Sequence, residues 1–206
     1  GADALRFYLM NSSVVKSEPL RFSEKRVEEV VKGVILPLWN AYSFFVTYAN
    51  IDGWEPEAKR RGIVSLSGKS TKQNAPRNKQ DRWILSELHY LVQDVTEQLD
   101  AYDLQKAVEP IVGFVDDLTN WYIRRSRRRF WKSENDADKN EAYETLHTVL
   151  KTLSQVIAPF MPCIAETIYR NITGEESVHL TDWPKADKKQ MDADLRREFH
   201  VTRKVV

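Results

Sequence analysis

Apolar residues recur every three or four positions along much of the chain, the spacing that places them on one face of an α-helix. The first such stretch runs from 23 to about 49 and opens on Ser23, a residue type that caps helix N-termini. Pro37 lies inside this stretch and predicts a kink, because proline lacks the backbone N–H and presses on the preceding turn. Beyond the kink, the pattern predicts core positions at Trp39, Asn40, Tyr42, Phe44 and Phe45.

Three further stretches, 81–102, 103–122 and 143–160, repeat the helical period most regularly. Asp81 and Asp103 stand at the start of the first two, and each is predicted to be an N-cap. The junction between these two stretches is so short that their helices must fold back on one another.

The remaining patterned segments are less regular. Pro110 is predicted to kink or split its helix, since an internal proline costs on the order of 3 kcal/mol. Residues 163–171 resume helical spacing, and residues 177–180 alternate as in an extended arm or short strand. A final helix over 193–205 has little apolar face, so we expect it to need a partner outside this chain.

Together these patterns predict an all-α fold, an antiparallel helix bundle with a long basic loop and a short extended arm near the C-terminus. Seven glycines in 206 residues disfavour a turn-rich, all-β fold. We divide the chain into a connector, 1–22, a helical domain, 23–176, and the arm with the start of a C-terminal appendage, 177–206.

The loop from 52 to 80 breaks the helical pattern with glycines, prolines and polar residues. Its second part contains seven cations and no acid: Lys59, Arg60, Arg61, Lys69, Lys72, Arg77 and Lys79. Such a run is commonly a solvated loop. RNA contact is the alternative, with Arg77, Lys79 and the nearby Arg82 as possible contributors.

Overall composition limits the function classes. Lysine and arginine total 31 against 30 acids, so the net charge is +1 and any electrostatic function must be local. A single cysteine excludes an internal disulfide and fits a reducing, cytosolic compartment. The longest uninterrupted apolar stretch, Val34 to Trp39, is far shorter than a membrane span. We identify no catalytic motif and no metal-ligand spacing.

The most informative segment runs from Asp117 to Lys132 and contains five arginines and a lysine without an acid after Asp117. On a helical wheel centred on Tyr122, the cationic face opposite the core line comprises Arg124, Arg127, Arg128 and Trp131. Guanidinium groups pair with phosphate and indole rings stack on bases, so this face suits RNA. The alternative is a solvated helix end whose arginines pair with the acids that follow it. Arg125 and Arg129 continue the core line and are predicted to serve structure.

Several motifs, in a fixed order, resemble the anticodon-binding domain of class I aminoacyl-tRNA synthetases. They are Asp117 to Trp131, Asp81-Arg82-Trp83-Ile84-Leu85-Ser86, Ala158-Pro159-Phe160-Met161-Pro162 and Ala165-Glu166-Thr167-Ile168-Tyr169. Within the isoleucine, valine and leucine group, the chain looks most like the isoleucyl-tRNA synthetases, through Arg124 to Trp131 and Ser177 to Pro184. The stretch from Gly1 to Arg6 resembles the segment after the family's Lys-Met-Ser-Lys-Ser loop, so we expect a piece of a longer protein.

The resemblance implies a helical bundle that docks the anticodon stem-loop of tRNA(Ile) in a cytoplasmic enzyme. Its partners would be tRNA(Ile) and the catalytic domain of the same polypeptide, with no membrane. Neither catalytic motif of the family occurs in this sequence, so ATP and Mg²⁺ would be used by the rest of the parent protein. The resemblance therefore implies no cofactor for this part of it. The same domain from a valyl- or leucyl-tRNA synthetase, or a helical protein-interaction scaffold, is the alternative. The implied tRNA contacts are Arg124, Arg127, Arg128, Trp131, Arg129 and Lys132.

Overall fold

A computed structural model describes residues 1–56, 76–131 and 136–205, and these residues form helices without a β-strand. The α-helices are α1 (Ala2–Met10), α2 (Glu24–Val30), α3 (Leu36–Asp52), α4 (Lys79–Asp100), α5 (Leu104–Asp116), α6 (Arg124–Trp131), α7 (Asp136–Ile157), α8 (Pro162–Thr173) and α9 (Ala193–Val205). The described residues also form two 3-10 helices, Ser13–Lys16 and Val178–Leu180, and two π-helical turns, Val31–Ile35 and Asp117–Ile123. The predicted all-α class is confirmed.

The core lies between α4, α5, α7 and α8, which pack as antiparallel hairpins. The α4–α5 turn is tight, with Tyr102 in the left-handed region at φ 58°. Asp103 caps α5 as predicted, its carboxylate accepting the Lys106 N–H at 3.1 Å. The fully buried residues along these helices include Ile84, Val95, Val108, Ile111, Leu146, Leu153 and Ile168.

The irregularity predicted at Pro37 appears one turn earlier, as the π-helical turn Val31–Ile35. Proline contributes no N–H there, so the turn preceding it is free to widen. The wider turn shifts the phase of the helix that follows. Tyr42 and Phe45 are buried as expected and Phe44 is half-buried, but the core prediction is wrong for Trp39, which is 41% exposed, and for Asn40, which is also exposed.

Pro110 does not split its helix, because α5 continues from Leu104 to Asp116. Ala107, Val108 and Ile111 are completely buried around the proline. Burying three apolar side chains stabilises the fold by several kcal/mol, roughly 1.5 to 3 kcal/mol for each of the larger ones, which offsets the proline's cost.

The start of α4 also differs from its prediction. Asn78 is the N-cap and accepts the Gln80 N–H at 2.9 Å, so the helix begins before Asp81. Asp81 is therefore not a cap. It lies inside the first turn with no exposed surface.

Both ends of the chain pack on the bundle. Asp3 of α1 accepts the N–H groups of Cys163 and Ile164 at 3.2 and 2.8 Å, and so caps α8 from a distant part of the sequence. At the other end, Phe199 of α9 stacks on Trp83 with ring centroids 4.5 Å apart. The expectation that the last helix needs an outside partner is wrong, because α4 supplies one. The proposed boundaries after residues 22 and 176 remain predictions.

The predicted arm at 177–180 is a 3-10 turn rather than an extended strand. Residues 181–192 then cross α4 without regular secondary structure. Three hydrogen bonds hold this crossing to α4: Trp183 Nε1 donates to Thr96 Oγ1 and Asp192 N to Ser86 Oγ, both at 2.8 Å, and Asp187 N donates to His89 Nδ1 at 3.2 Å.

One helical run, Glu24–Asp52, is long and apolar enough to cross a membrane by length and composition alone. Core helices of water-soluble proteins meet the same criterion. This run contributes Val34, Leu38 and Phe45 to the shared hydrophobic core.

Candidate nucleic-acid interface

Helix α6 is anchored on its inner side by Arg129. The Arg129 guanidinium donates to both carboxylate oxygens of Asp81 at 2.7 and 2.8 Å, and to both carboxylate oxygens of Asp138 at 2.8 and 3.0 Å. The Tyr122 hydroxyl donates to Asp81 at 2.8 Å. This group of four residues, here called the Arg129 network, joins α4, α6 and α7.

The outer side of α6 is cationic. Arg124, Arg127 and Arg128 are exposed, and within the described residues none of them takes part in an ion pair. Trp131 is 57% exposed and lies beside the half-buried Tyr48, with ring centroids 6.3 Å apart. The structure thus brings together the four residues that the wheel placed opposite the core.

Arg129 does not belong to this surface. Its side chain is only 11% exposed, and its charge is paired with the carboxylates of Asp81 and Asp138. Burial lowers the pKa of Arg129, but the hydrogen bonds that Arg129 donates to Asp81 and Asp138 outweigh that effect and raise the pKa. The assignment of Arg129 as a tRNA contact is therefore corrected. These contacts agree with the structural role predicted for Arg129.

Arg125 was predicted to lie on the core line, and this prediction is wrong. It is exposed, and its guanidinium lies over the Trp121 ring, 5.6 Å from the ring centroid. The wheel assumed 100° per residue throughout, whereas the π-helical turn Asp117–Ile123 turns less per residue and rotates α6. Arg125 thus adds a further cation beside the predicted face.

The secondary candidates are spread over the start of α4. Arg77 and Arg82 are exposed, with the Arg77 N–H donating to Glu141 at 2.9 Å. Lys79 forms an ion pair with Glu198 of α9 at 2.5 Å, which neutralises its charge. Lys132 and the loop cations between 57 and 75 lie outside the described residues.

A second charged group, which the sequence did not predict, lies where α9 docks. Arg203 pairs with Asp116 at 2.7 Å and with Asp117, and its guanidinium lies over the Trp121 ring, 5.6 Å from the ring centroid. Burial raises the pKa of Asp117 to about 6, with Asp116 adding repulsion and Arg203 opposing both. The only sequence signal was the pair Leu195 and Phe199, four residues apart in an otherwise charged helix.

Among the residues that the structure describes, no group of three or more His, Cys, Asp or Glu side chains could hold a metal ion. The chemistry of the α6 surface is instead that of non-covalent recognition. Guanidinium groups at fixed positions pair with phosphate oxygens, and an exposed indole offers a stacking face for a base.

A family model described as the anticodon-binding domain of tRNA ligase matches residues 81–206, which include α4 from Asp81 onward and all of α5 to α9. The chain is 48% identical over 215 residues to the isoleucine–tRNA ligase of Treponema denticola, and 50% identical over 209 residues to that of Chlamydia trachomatis serovar D. Each match covers 100% of this chain but 19% of the relative. The chain therefore spans about a fifth of the length of these relatives.

Two solved structures share the fold at low sequence identity. A leucyl-tRNA synthetase of Agrobacterium radiobacter K84, in a ternary complex with tRNA and LeuAMS, superposes with a TM-score of 0.62 at 17% identity, covering 94% of this chain and 20% of that one. The methionyl-tRNA synthetase of Mycobacterium tuberculosis, bound to methionyl-adenylate, gives 0.56 at 21% identity, covering 82% and 31%. With the family match over more than half of its length, the chain belongs to the anticodon-binding domains of tRNA ligases.

Proposed function

We propose that this chain binds the anticodon stem-loop of an isoleucine tRNA and positions it for aminoacylation by the catalytic domain of a longer polypeptide. The observation that carries the proposal is the outer face of α6, where Arg124, Arg127, Arg128 and Trp131 are exposed together. The names of the relatives support isoleucine as the amino acid.

The binding chemistry follows from that face. Arginines on successive turns of one rigid helix can contact successive phosphates of an RNA backbone, and Trp131 at the end of the helix can stack on an unpaired base. The net charge of +1 provides no general attraction for RNA, so affinity must arise from this local surface. Arg125 is also exposed and follows Arg124 directly, so it can contribute a further phosphate contact.

The chemical step lies outside this chain in the proposal. We assign ATP, Mg²⁺ and amino-acid activation to the catalytic domain of the parent, which we place in the cytoplasm with the rest of the translation machinery. The isolated chain should therefore show no isoleucine-dependent exchange of pyrophosphate into ATP. Pyrophosphate exchange by the pure chain would contradict this division of labour.

The test of the function is a titration of the chain with tRNAs for isoleucine, valine and leucine at several salt concentrations. We expect tightest binding to tRNA(Ile), with a steep dependence on salt because phosphate contacts release counterions. Equal binding of all three tRNAs would remove the isoleucine assignment. Weak, salt-independent binding would favour the protein-interaction scaffold instead.

Replacing Arg124, Arg127 and Arg128 together by alanine tests the surface itself. Each lost phosphate contact should lower the slope of log K against log salt by about 0.7 to 0.9, so the triple variant should lose roughly 2 to 3 in slope. Arg197→Ala is the control, because Arg197 is also an exposed arginine, on α9, where it lies 3.7 Å from Asp194. If the triple variant keeps the slope of the original chain, α6 is not the binding surface.

A further inference from the structure

The Arg129 network is centred on a carboxylate with no exposed surface, that of Asp81. Asp81 is completely buried, yet it accepts three hydrogen bonds, two from Arg129 and one from Tyr122. Buried ion pairs are weak sources of net stability, because desolvation offsets most of the attraction. Their better-attested effect is to fix one arrangement of the elements that they join.

The elements joined here are those that must hold the cationic face. Asp81 is in the first turn of α4, Arg129 is in the last turn of α6, and Asp138 is in the first turn of α7. The guanidinium of Arg129 donates along two edges, one to each carboxylate, and these bonds restrain both the rotation of α6 about its axis and its position relative to α7. Phe130 is buried beside Arg129, between Phe44 and Tyr143.

We infer that Asp81, Arg129 and Asp138 are positioning residues for RNA binding, which fix the rotation of α6 so that its outer arginines and Trp131 face one ligand surface. This inference rests on the proposed function of α6. In this proposal none of the three contacts RNA. The guanidinium of Arg129 is enclosed between the carboxylates of Asp81 and Asp138. The network acts through the residues on either side of it, because Arg128 and Trp131 share a single helical turn with Arg129.

Replacing Asp138 tests the inference, because simple electrostatics and a positioning role predict opposite changes in RNA affinity. Its carboxylate is near a surface that binds phosphates, so removing its negative charge by simple electrostatics should strengthen RNA binding or leave it unchanged. A positioning role predicts the reverse, because Asp138→Asn loses the charge and one of the two acceptor oxygens that hold Arg129 on the α7 side. We expect tRNA affinity to fall roughly threefold or more, the range of coupled residues in one network.

Asp136→Asn is the matched control. Asp136 is an exposed acid in the same first turn of α7, and Arg129 bonds to Asp138 rather than to it. Both variants remove one charge and the same favourable interaction with the helix N-terminus. The Asp138 side chain is itself 35% exposed, so its loss should cost little stability and both variants should fold.

The experiment measures tRNA(Ile) affinity of the 206-residue chain and its two variants, and the hydrogen exchange of backbone amides in α6 without RNA. Weaker binding together with faster α6 exchange in Asp138→Asn, and neither change in Asp136→Asn, would establish positioning. If Asp138→Asn matches Asp136→Asn in both measurements, the network does not position α6. If the original chain binds no tRNA, the proposed function fails, and the exchange measurement still decides whether the network holds α6.

Discussion

Helices α6 and α9 are both rich in arginine, but they use it in opposite ways. On α6, four of the five arginines are exposed on the outer side. On α9, Arg196 pairs with Glu87 at 3.3 Å and Arg203 pairs with Asp116 and Asp117. The positive charge of α9 is therefore largely cancelled within the fold, whereas that of α6 is presented to the solvent.

The comparison shows that a count of arginines does not locate an RNA-binding surface. Whether an arginine is free to bind RNA depends on where the acids lie after folding. The two acids that neutralise Arg203 are 86 and 87 positions away from it in sequence. Within α6 itself the same rule separates neighbours, since Arg128 is exposed while Arg129 is neutralised by two carboxylates. The predictions below test the contrast between the two helices.

The largest expected effect is on stability. Arg129→Ala leaves Asp81 buried without its cation, so the free energy of unfolding should fall by about 3 to 5 kcal/mol. For a chain of this size that corresponds to a melting temperature lower by roughly 6 to 20 °C. Arg203→Ala on α9 should lose less, because the Arg203 and Asp116 side chains are 30% and 48% exposed and solvent-exposed ion pairs contribute about 0 to 1 kcal/mol.

Thermal denaturation of the two variants side by side measures this difference. Equal losses from both would mean that α6 and α9 are held by ion pairs of the same strength. Asp81→Asn with Arg129→Met is a useful companion, since removing both charges should restore much of the stability that the single change loses.

The regular part of the fold could be predicted from sequence because burial and helical period are linked. The stripe of 143–160 and that of 81–102 as far as Val95 are buried as the spacing indicates, and Asp103 caps its helix, but Tyr102 at the end of the second stripe is 92% exposed. These features depend only on residues within one turn of each other. The exposed face of Arg124, Arg127 and Arg128 also followed from spacing alone.

The remaining features depend on contacts between distant segments or on departures from ideal helix geometry. Asp81 has the residue type of a cap, and nothing near it in sequence shows that Arg129, 48 positions later, pairs with it. Arg125 was misplaced because a π-helical turn cannot be read from apolar spacing. The docking of α9 was missed because its partners, Trp83 and Asp117, belong to two other elements.

A second prediction uses the acid that faces α9. The folded-state pKa of Asp117 is about 6, above the value near 3.8 expected for the unfolded chain, because burial disfavours the carboxylate. The folded chain thus retains a proton that the unfolded chain has released between these two values. The stability that Asp117 contributes is present below about pH 4 and is lost as the pH rises through about 6.

Asp117→Asn removes this titration without changing the shape of the side chain. The free energy of unfolding of the original chain, relative to the variant, should fall by about 2 to 3 kcal/mol between pH 4 and pH 7. Urea denaturation at a series of pH values measures the difference. His147 must be kept constant in this comparison, because burial lowers its pKa to about 4 and it changes stability in the opposite direction. A flat difference curve would mean that α9 docks on a carboxylate of ordinary acidity.

The smallest expected effect concerns the aromatic residues of the two helices. Phe199 of α9 stacks on Trp83, which is almost fully buried, so Phe199→Ala should lower stability and leave tRNA binding unchanged. Trp131 of α6 is 57% exposed and should show the reverse. Stacking on a base contributes about 1 to 3 kcal/mol, so Trp131→Ala should weaken tRNA binding roughly 5- to 150-fold.

The salt dependence identifies the kind of contact that Trp131 makes. Indole has no charge and releases no counterions, so the slope of log K against log salt should stay that of the original chain while the affinity falls at every salt concentration. Trp131→Phe should lose less, because a smaller aromatic ring still offers a stacking face. Tyr48, whose ring lies beside Trp131, should stabilise the indole in this position. Normal tRNA affinity with a lowered melting temperature would instead place Trp131 with Phe199, as an aromatic residue that packs a helix onto the bundle.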